Sequence, residues 1–343
     1  MPSAVSIEQE TYHSSSSKQE YLDACQAQAP STRTREAPVS AGHHDPDVPG
    51  IPIGPHPNCH PIASGITSQV YRAGSTALKV IVAHTEPHNP QREVRILESL
   101  RGTRSIIQLL DAFRDAESQL VLAFPYMPLT LADVIARGTP ARPQVVSIVA
   151  DVLRALSHIH SLGIIHRDVK PSAVLLESPS GPAHLSDFGT AWHPEYSSAK
   201  EPASAKILDI GTGPYRAPEV LFGHGAYGAP VDMWAVGVVL SEMVRTPAEP
   251  IFESRPAHED GSQLGLILSI FKTLGTPTPE TWPEAQNFKV TPFELWTVFP
   301  ARPWDELLPG VGADWRDLIA GLLRFDAKRM TADAALQSSC FFE

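Results

Sequence analysis

Residues 164–176 read IIHRDVKPSAVLL, and LSDFGTA follows at 185–191. A short apolar run leads into His166, Arg167 and Asp168, and Lys170 comes two residues later. A Gly/Pro/Ser-rich turn at 178–182 separates this stretch from Asp187-Phe188-Gly189. The pattern predicts two carboxylates at the ends of two short apolar strands joined by a turn, and so in one cleft. Phosphoryl transfer suits such a pair, because it asks a protein mainly for positioning and charge neutralisation. In that chemistry Asp168 orients a substrate hydroxyl and accepts its proton. Lys170 reaches the transferring phosphate, and Asp187 holds Mg²⁺ on the nucleotide phosphates.

A second set of charges lies upstream. Lys79 sits in the apolar run Ala77-Leu78-Lys79-Val80. A lysine on such a strand needs a partner, since a buried unpaired charge is costly. Glu93 is the natural one. It lies in REVRIL, beside a helical stripe of Val94, Leu97 and Leu100. Pro87 and Pro90 delay the start of that helix until after Pro90.

His166-Arg167-Asp168, Asp187-Phe188-Gly189 and Ala217-Pro218-Glu219 occur in the order of the eukaryotic protein kinase signature. From about Pro61 to Phe342 the chain resembles that family. The resemblance implies an α+β fold of two lobes: a small β-rich N-lobe (about 58–126) with one helix, αC, and a larger, mainly helical C-lobe (about 129–343). It implies ATP and Mg²⁺ as cofactors. It makes Glu93 the αC partner of Lys79, Asp168 the catalytic base, Lys170 its companion, Thr212 the threonine that steadies both, and Asp187 the metal ligand. One position departs from the pattern. Where the family has a metal-binding Asn, this chain has Ala173.

The resemblance also places a nucleotide pocket along Ile62, Gly65, Val70, Ala77, Lys79, Phe124, Pro125, Met127, Leu175 and Asp187. Residues 62–72 and 75–82 predict two strands, a turn and a third strand. The glycine-rich loop is depleted: Ala63, Gly65 and Ser68 hold its three glycine positions. The hinge follows the apolar strand 120–124. A register that asks Pro125 to donate a backbone N–H fails, because proline has none. In the remaining register Phe124 is the gatekeeper, the Pro125 carbonyl accepts from adenine, and the Met127 N–H donates.

Leu97, Leu109, His166 and Phe188 are expected to stack between the lobes. Residues 144–160 predict a long amphipathic helix, with His158 and His160 as packing or surface residues. The activation segment, 189–219, carries Tyr196, Ser197, Ser198 and Ser204. At the usual activating-threonine position stands Ile207, so Arg167 is expected to lack the phosphate it commonly meets. Ser204 is the substitute candidate. Asp232, in DMWAVG, is expected to accept hydrogen bonds from the catalytic-loop backbone. Arg329 is expected to pair with Glu219. Residues 270–277 and Trp282-Pro283 resemble the insert of cyclin-dependent and mitogen-activated kinases.

With the depleted loop, the helix start PHNPQRE, the hinge and Ile207, the chain resembles fungal kinases that activate cyclin-dependent kinases. The implied enzyme is a monomeric serine/threonine kinase with no ordinary cyclin partner, acting on a protein substrate such as a cyclin-dependent kinase. Two alternatives stand beside it. Ala173 allows a pseudokinase serving as a binding module, and a diverged docking sequence allows a cyclin-regulated kinase.

The rest is bounded by composition. A net charge of −11 does not suggest a nucleic-acid partner. Cys25, Cys59 and Cys340 are scattered without metal spacing, which fits reduced thiols in an intracellular protein, in nucleus or cytoplasm. No apolar run reaches membrane-span length. Residues 1–57, rich in Ser, Pro and His, predict a disordered tail. The histidines at 43, 44, 56 and 60 make no complete ligand set.

Overall fold

The computed structural model describes residues 49–197, 199–254, 263–294 and 297–342. Most of the expected tail, residues 1–48, therefore lies outside the described residues, as does Ser198. The two lobes follow the expected α+β plan. The small lobe is one antiparallel sheet in the order β1-β2-β3-β4-β6-β5. Its strands are β1 (Ile51–Ile53), β2 (His56–Ser64), β3 (Ser68–Ala73), β4 (Thr76–Ile81), β5 (Asp111–Arg114) and β6 (Leu120–Pro125).

The fold starts earlier than the boundary expected at residues 57 and 58. Strand β1 pairs with β2, Ile53 facing His56 across the turn. Gly54 makes that turn with φ +54°, and a Cβ there would stand 2.3 Å from the Phe113 ring. Only glycine accepts both constraints. His56 stacks on Phe113 and His60 lies in β2. Among the described residues no group of three or more His, Cys, Asp or Glu could hold a metal.

Alternation in β4 decides where its lysine goes. Leu78 and Val80 are buried on one face, in a small core with Ile53, Cys59, Val121 and Ala123. Ala77, Lys79 and Ile81 take the opposite face, toward the other lobe. Cross-strand pairing sets Lys79 opposite Leu122 and Ala77 opposite Phe124.

Helix α1 (Pro90–Ser99) starts at Pro90 rather than after it, with the proline in its first turn, where its missing N–H is no loss, and the Asn89 side chain capping Arg92 N–H. Its buried face differs from the expected stripe. Glu93, Ile96, Leu97 and Leu100 are buried, and Val94 is half-buried. Glu93 thus belongs to the buried face rather than beside it.

The large lobe begins with β7 (Leu129–Thr130), α2 (Leu131–Ile135) and α3 (Arg142–Ser161). Strands β7, β8 (Val174–Leu176) and β9 (Ala183–Leu185) form a second small sheet. Helices α4 (Pro218–Leu221), α5 (Pro230–Val244), α6 (Leu264–Leu274), α7 (Trp304–Leu307), α8 (Ala313–Leu322) and α9 (Ala332–Leu336) follow. Helix α5 is apolar on nearly every side and buried along most of its length, so it is the central post of this lobe. Gly237 lets α8 pack against it, because a Cβ there would fall 2.8 Å from Leu323.

Arg329 joins Glu219 through two hydrogen bonds of 2.6 and 3.0 Å, as expected, and also donates to the Pro230 carbonyl. Arg329→Met leaves Glu219 without its cation inside the lobe. Breaking a buried pair in this way costs about 3–5 kcal/mol, so the variant should show a clearly lowered midpoint in urea denaturation. An unchanged midpoint would mean the pair adds nothing to this lobe.

Candidate active site

Asp168 does not end a strand, as the sequence pattern suggested. It lies in a loop between Ile165 and the 3-10 turn Pro171–Ala173. Ile165 forms an isolated antiparallel bridge with Trp192. Arg167 has φ +74° and Asp187 φ +61°, a region uncommon for side-chain-bearing residues. Such strain persists only where surroundings over-determine it. At Arg167 the surroundings are Asp232. Its carboxylate accepts from His166 N–H and Arg167 N–H, both at 2.8 Å, and lies 2.8 Å from His160 Nε2. Asp232 sits in the first turn of α5, where the helix dipole favours an anion. Burial opposes its charge, yet the His160 and His166 contacts hold its carboxyl below the usual range.

Two charged clusters flank the cleft. In the first, Lys79 Nζ lies 2.8 and 3.0 Å from the Glu93 oxygens and 2.8 Å from Asp187 Oδ1. Burial works against the ammonium, but Asp187 and Glu93 outweigh it and hold Lys79 above the ordinary lysine value. Lys79 in turn holds Asp187 well below the usual carboxylate range. Burial raises Glu93, with Lys79 opposing. Asp187 is therefore a full anion, and its side chain is 40% exposed to the cleft.

In the second cluster both Asp168 oxygens are engaged. Thr212 Oγ1 donates to Oδ1 at 2.7 Å, and Lys170 Nζ lies 2.5 Å from Oδ2. Lys170 also donates to Thr212 Oγ1 at 3.1 Å. All three sequence-predicted members meet. The clusters are tied through His166, whose Nε2 lies 2.8 Å from the Ser186 carbonyl and whose ring meets Phe188 edge-on at 4.8 Å. Leu97, Leu109, His166 and Phe188 are all buried between the lobes.

Ala173 is buried, and its carbonyl accepts both the Ser186 N–H and hydroxyl at 2.8 Å. No side-chain oxygen stands at this position beside Asp187. Ser172 is exposed. For a divalent cation Asp187 is thus a fitting ligand, and residue 173 is not.

At the hinge, Tyr126 N–H donates to the Ser75 carbonyl at 2.8 Å, and its ring carries the Arg72 guanidinium at 4.1 Å. That amide is spent. Among the described residues Met127 N–H has no protein partner. Val70, Ala77, Phe124, Pro125, Met127 and Leu175 are half-buried and Ile62 is exposed. Gly65 caps the β2–β3 turn through a 2.8 Å bond to the Ser68 carbonyl, with Ile66 fully exposed at its tip.

Two residues that position the site had no reading in the sequence. Asn89 N–H donates to the Gly189 carbonyl at 2.8 Å, pinning the start of α1 to the Asp187 loop. Glu201 meets Arg167, for which only the absence of the usual phosphate was expected. A buried arginine beside the catalytic aspartate was the signal that some anion must reach it.

The protein kinase domain model matches residues 60–341. The chain belongs to the protein kinase family. The kinase is 35% identical over 276 residues to serine/threonine-protein kinase csk1 of Schizosaccharomyces pombe, covering 77% of this chain and 87% of that one. It is 36% identical over 256 residues to cyclin-dependent kinase 7 of Xenopus laevis, covering 73% and 67%. Cell division control protein 2 homolog C of Antirrhinum majus is 32% identical over 308 residues, covering 82% and 94%. The kinase is thus a serine/threonine kinase of the cyclin-dependent-kinase-like group. Among its described residues no helix is long and apolar enough to cross a membrane.

Proposed function

We propose that this kinase transfers the γ-phosphoryl group of ATP to the activation threonine of another kinase, working as a single chain. The observation that carries catalytic competence is the Lys79–Glu93–Asp187 cluster, closed while Phe188 is buried. The substrate hydroxyl oxygen bonds to the γ-phosphorus as the bond to the β–γ bridging oxygen breaks, and ADP leaves. The hydroxyl proton goes to Asp168, whose carboxylate Thr212 and Lys170 hold in place. Lys170 then neutralises charge on the transferring group. Lys79, kept in position by Glu93, meets the nucleotide phosphates. Pro125 C=O and Met127 N–H serve the adenine edge between Ile62, Val70, Ala77, Phe124 and Leu175, with Gly65 above the phosphates. Asp187 would hold Mg²⁺, which when bound neutralises phosphate charge.

The single-chain reading rests on the chain's own contacts that seat helix α1, Lys79 to Glu93 and Asn89 N–H to the Gly189 carbonyl. The substrate assignment rests on the resemblance to fungal activating kinases noted for the hinge, the loop and Ile207. A second reading, a pseudokinase acting as a binding module, is favoured by Ala173 and by the depleted glycine loop, where Ala63 and Ser68 replace glycines. One assay separates them: radiolabelled ATP with an inactive cyclin-dependent kinase as acceptor. Label on its activation threonine is expected. Label only on a generic protein substrate would reject the substrate assignment. Absence of both label and nucleotide-induced thermal stabilisation would install the pseudokinase.

A further inference from the structure

Arg92 and Arg167 are both almost fully buried, on helix α1 and in the catalytic loop. Each directly precedes a residue of the site, Glu93 and Asp168. Buried guanidinium groups demand an anion. The activation segment supplies one. Glu201, 3% exposed, puts Oε1 2.5 Å from Arg167 Nη2 and Oε2 4.0 Å from Arg92 Nη1. Oε1 also accepts from the backbone N–H of Ile207 at 2.7 Å, the residue in the place of an activating threonine.

Glu201 itself is fixed by the segment. Its N–H donates to the Ser197 carbonyl, and its carbonyl accepts from Trp192 Nε1, both at 2.9 Å. Ser197 is buried, accepting from His193 N–H, and Ser204 is exposed. The cradle has capacity beyond one carboxylate. Arg167 Nε and Nη1 and Arg92 Nε are buried without a partner among the described residues.

In kinases switched on by phosphorylation, new arginine–phosphate pairs order the activation loop. We infer that Glu201 is a positioning residue that performs this ordering permanently, so that the segment is set for catalysis without phosphorylation. The inference rests on the kinase reading and adds its regulation. One carboxylate is hydrogen-bonded to the loop carrying Asp168 and stands at ion-pair range, 4.0 Å, from the helix carrying Glu93, whose Arg92 also pairs with Glu86 at 3.3 Å.

The full chain, treated with phosphatase until intact mass shows no phosphate, should keep its turnover. Glu201→Gln should lower kcat by at least about tenfold, the equivalent of 1.4 kcal/mol, with nucleotide affinity unchanged. Glu201→Asp, which keeps the charge, should recover part of the loss. Limited proteolysis should cut Glu201→Gln between residues 195 and 210 faster than wild type, by a similar factor. Wild-type kcat and wild-type cutting in Glu201→Gln would overturn the inference, and so would loss of activity on phosphatase treatment. Should Glu201→Gln fail to fold, the phosphatase arm on wild type decides. Should wild type transfer no phosphate to any protein, the kinase reading fails and proteolysis alone still tests the role of Glu201.

Discussion

Asp168→Asn should lower kcat by ~10²–10⁴-fold, the usual contribution of a positioned general base, while ATP affinity and denaturation midpoint stay close to wild type. The substitution is nearly isosteric. The Thr212 hydroxyl can still donate to the remaining carbonyl oxygen of residue 168, replacing its 2.7 Å bond to Oδ1. What disappears is the acceptor for the substrate proton and the anion that Lys170 faces at 2.5 Å. The loop keeps its path because Asp232, not Asp168, holds the backbone N–H groups of His166 and Arg167. Radiolabel transfer measured beside a urea melt separates the two effects. Undiminished turnover in a clean preparation would remove Asp168 from the role of base. Lost turnover together with a collapsed melt would make it a structural residue.

What could be read from the sequence was local. A lysine inside the apolar run ALKV needed a partner, Glu93 on the following helix was the natural one, and the structure joins them at 2.8 Å. The proline in the hinge chose the register, and the structure spends Tyr126 N–H on Ser75 while leaving Met127 N–H. What could not be read depended on chain segments far apart. Glu201 lies 34 residues from Arg167, in a stretch without periodicity, and no spacing rule links them. The same holds for Asn89 and Gly189, joined by a backbone bond that carries no side-chain signature. Strand β1 was missed for a different reason. Three residues between two glycines, with a proline at their centre, give too short a pattern to count as a strand, and only Phe113, from β5, supplies the surface that Gly54 packs against.

Ala173→Asn should raise phosphoryl transfer, and wild type should respond strongly to added Mg²⁺ or Mn²⁺. In the kinase pattern the Asn at this position binds the second metal ion and braces the catalytic loop. A methyl group does neither, and Ser172 beside it is turned to solvent. The bracing is partly met by other means. Ala173 C=O takes both the N–H and the hydroxyl of Ser186, the residue before Asp187, so the loop and the end of β9 are already joined. The missing element is therefore mainly charge neutralisation. Removing one electrostatic group of this kind slows an enzyme by ~10²–10³-fold. Enzyme accelerations are larger by many orders, so a slow kinase remains. Lys79 holds the Asp187 carboxyl well below the usual range, so Asp187 would still serve one cation. Ala173→Asn should return up to the same factor in kcat and lower the Mg²⁺ concentration at half-maximal rate. Because Ala173 is buried, the larger side chain also has to be accommodated, and a melt of the variant reports whether it is. A stable variant with no gain in kcat, together with no nucleotide binding by wild type at millimolar Mg²⁺, would decide for the pseudokinase.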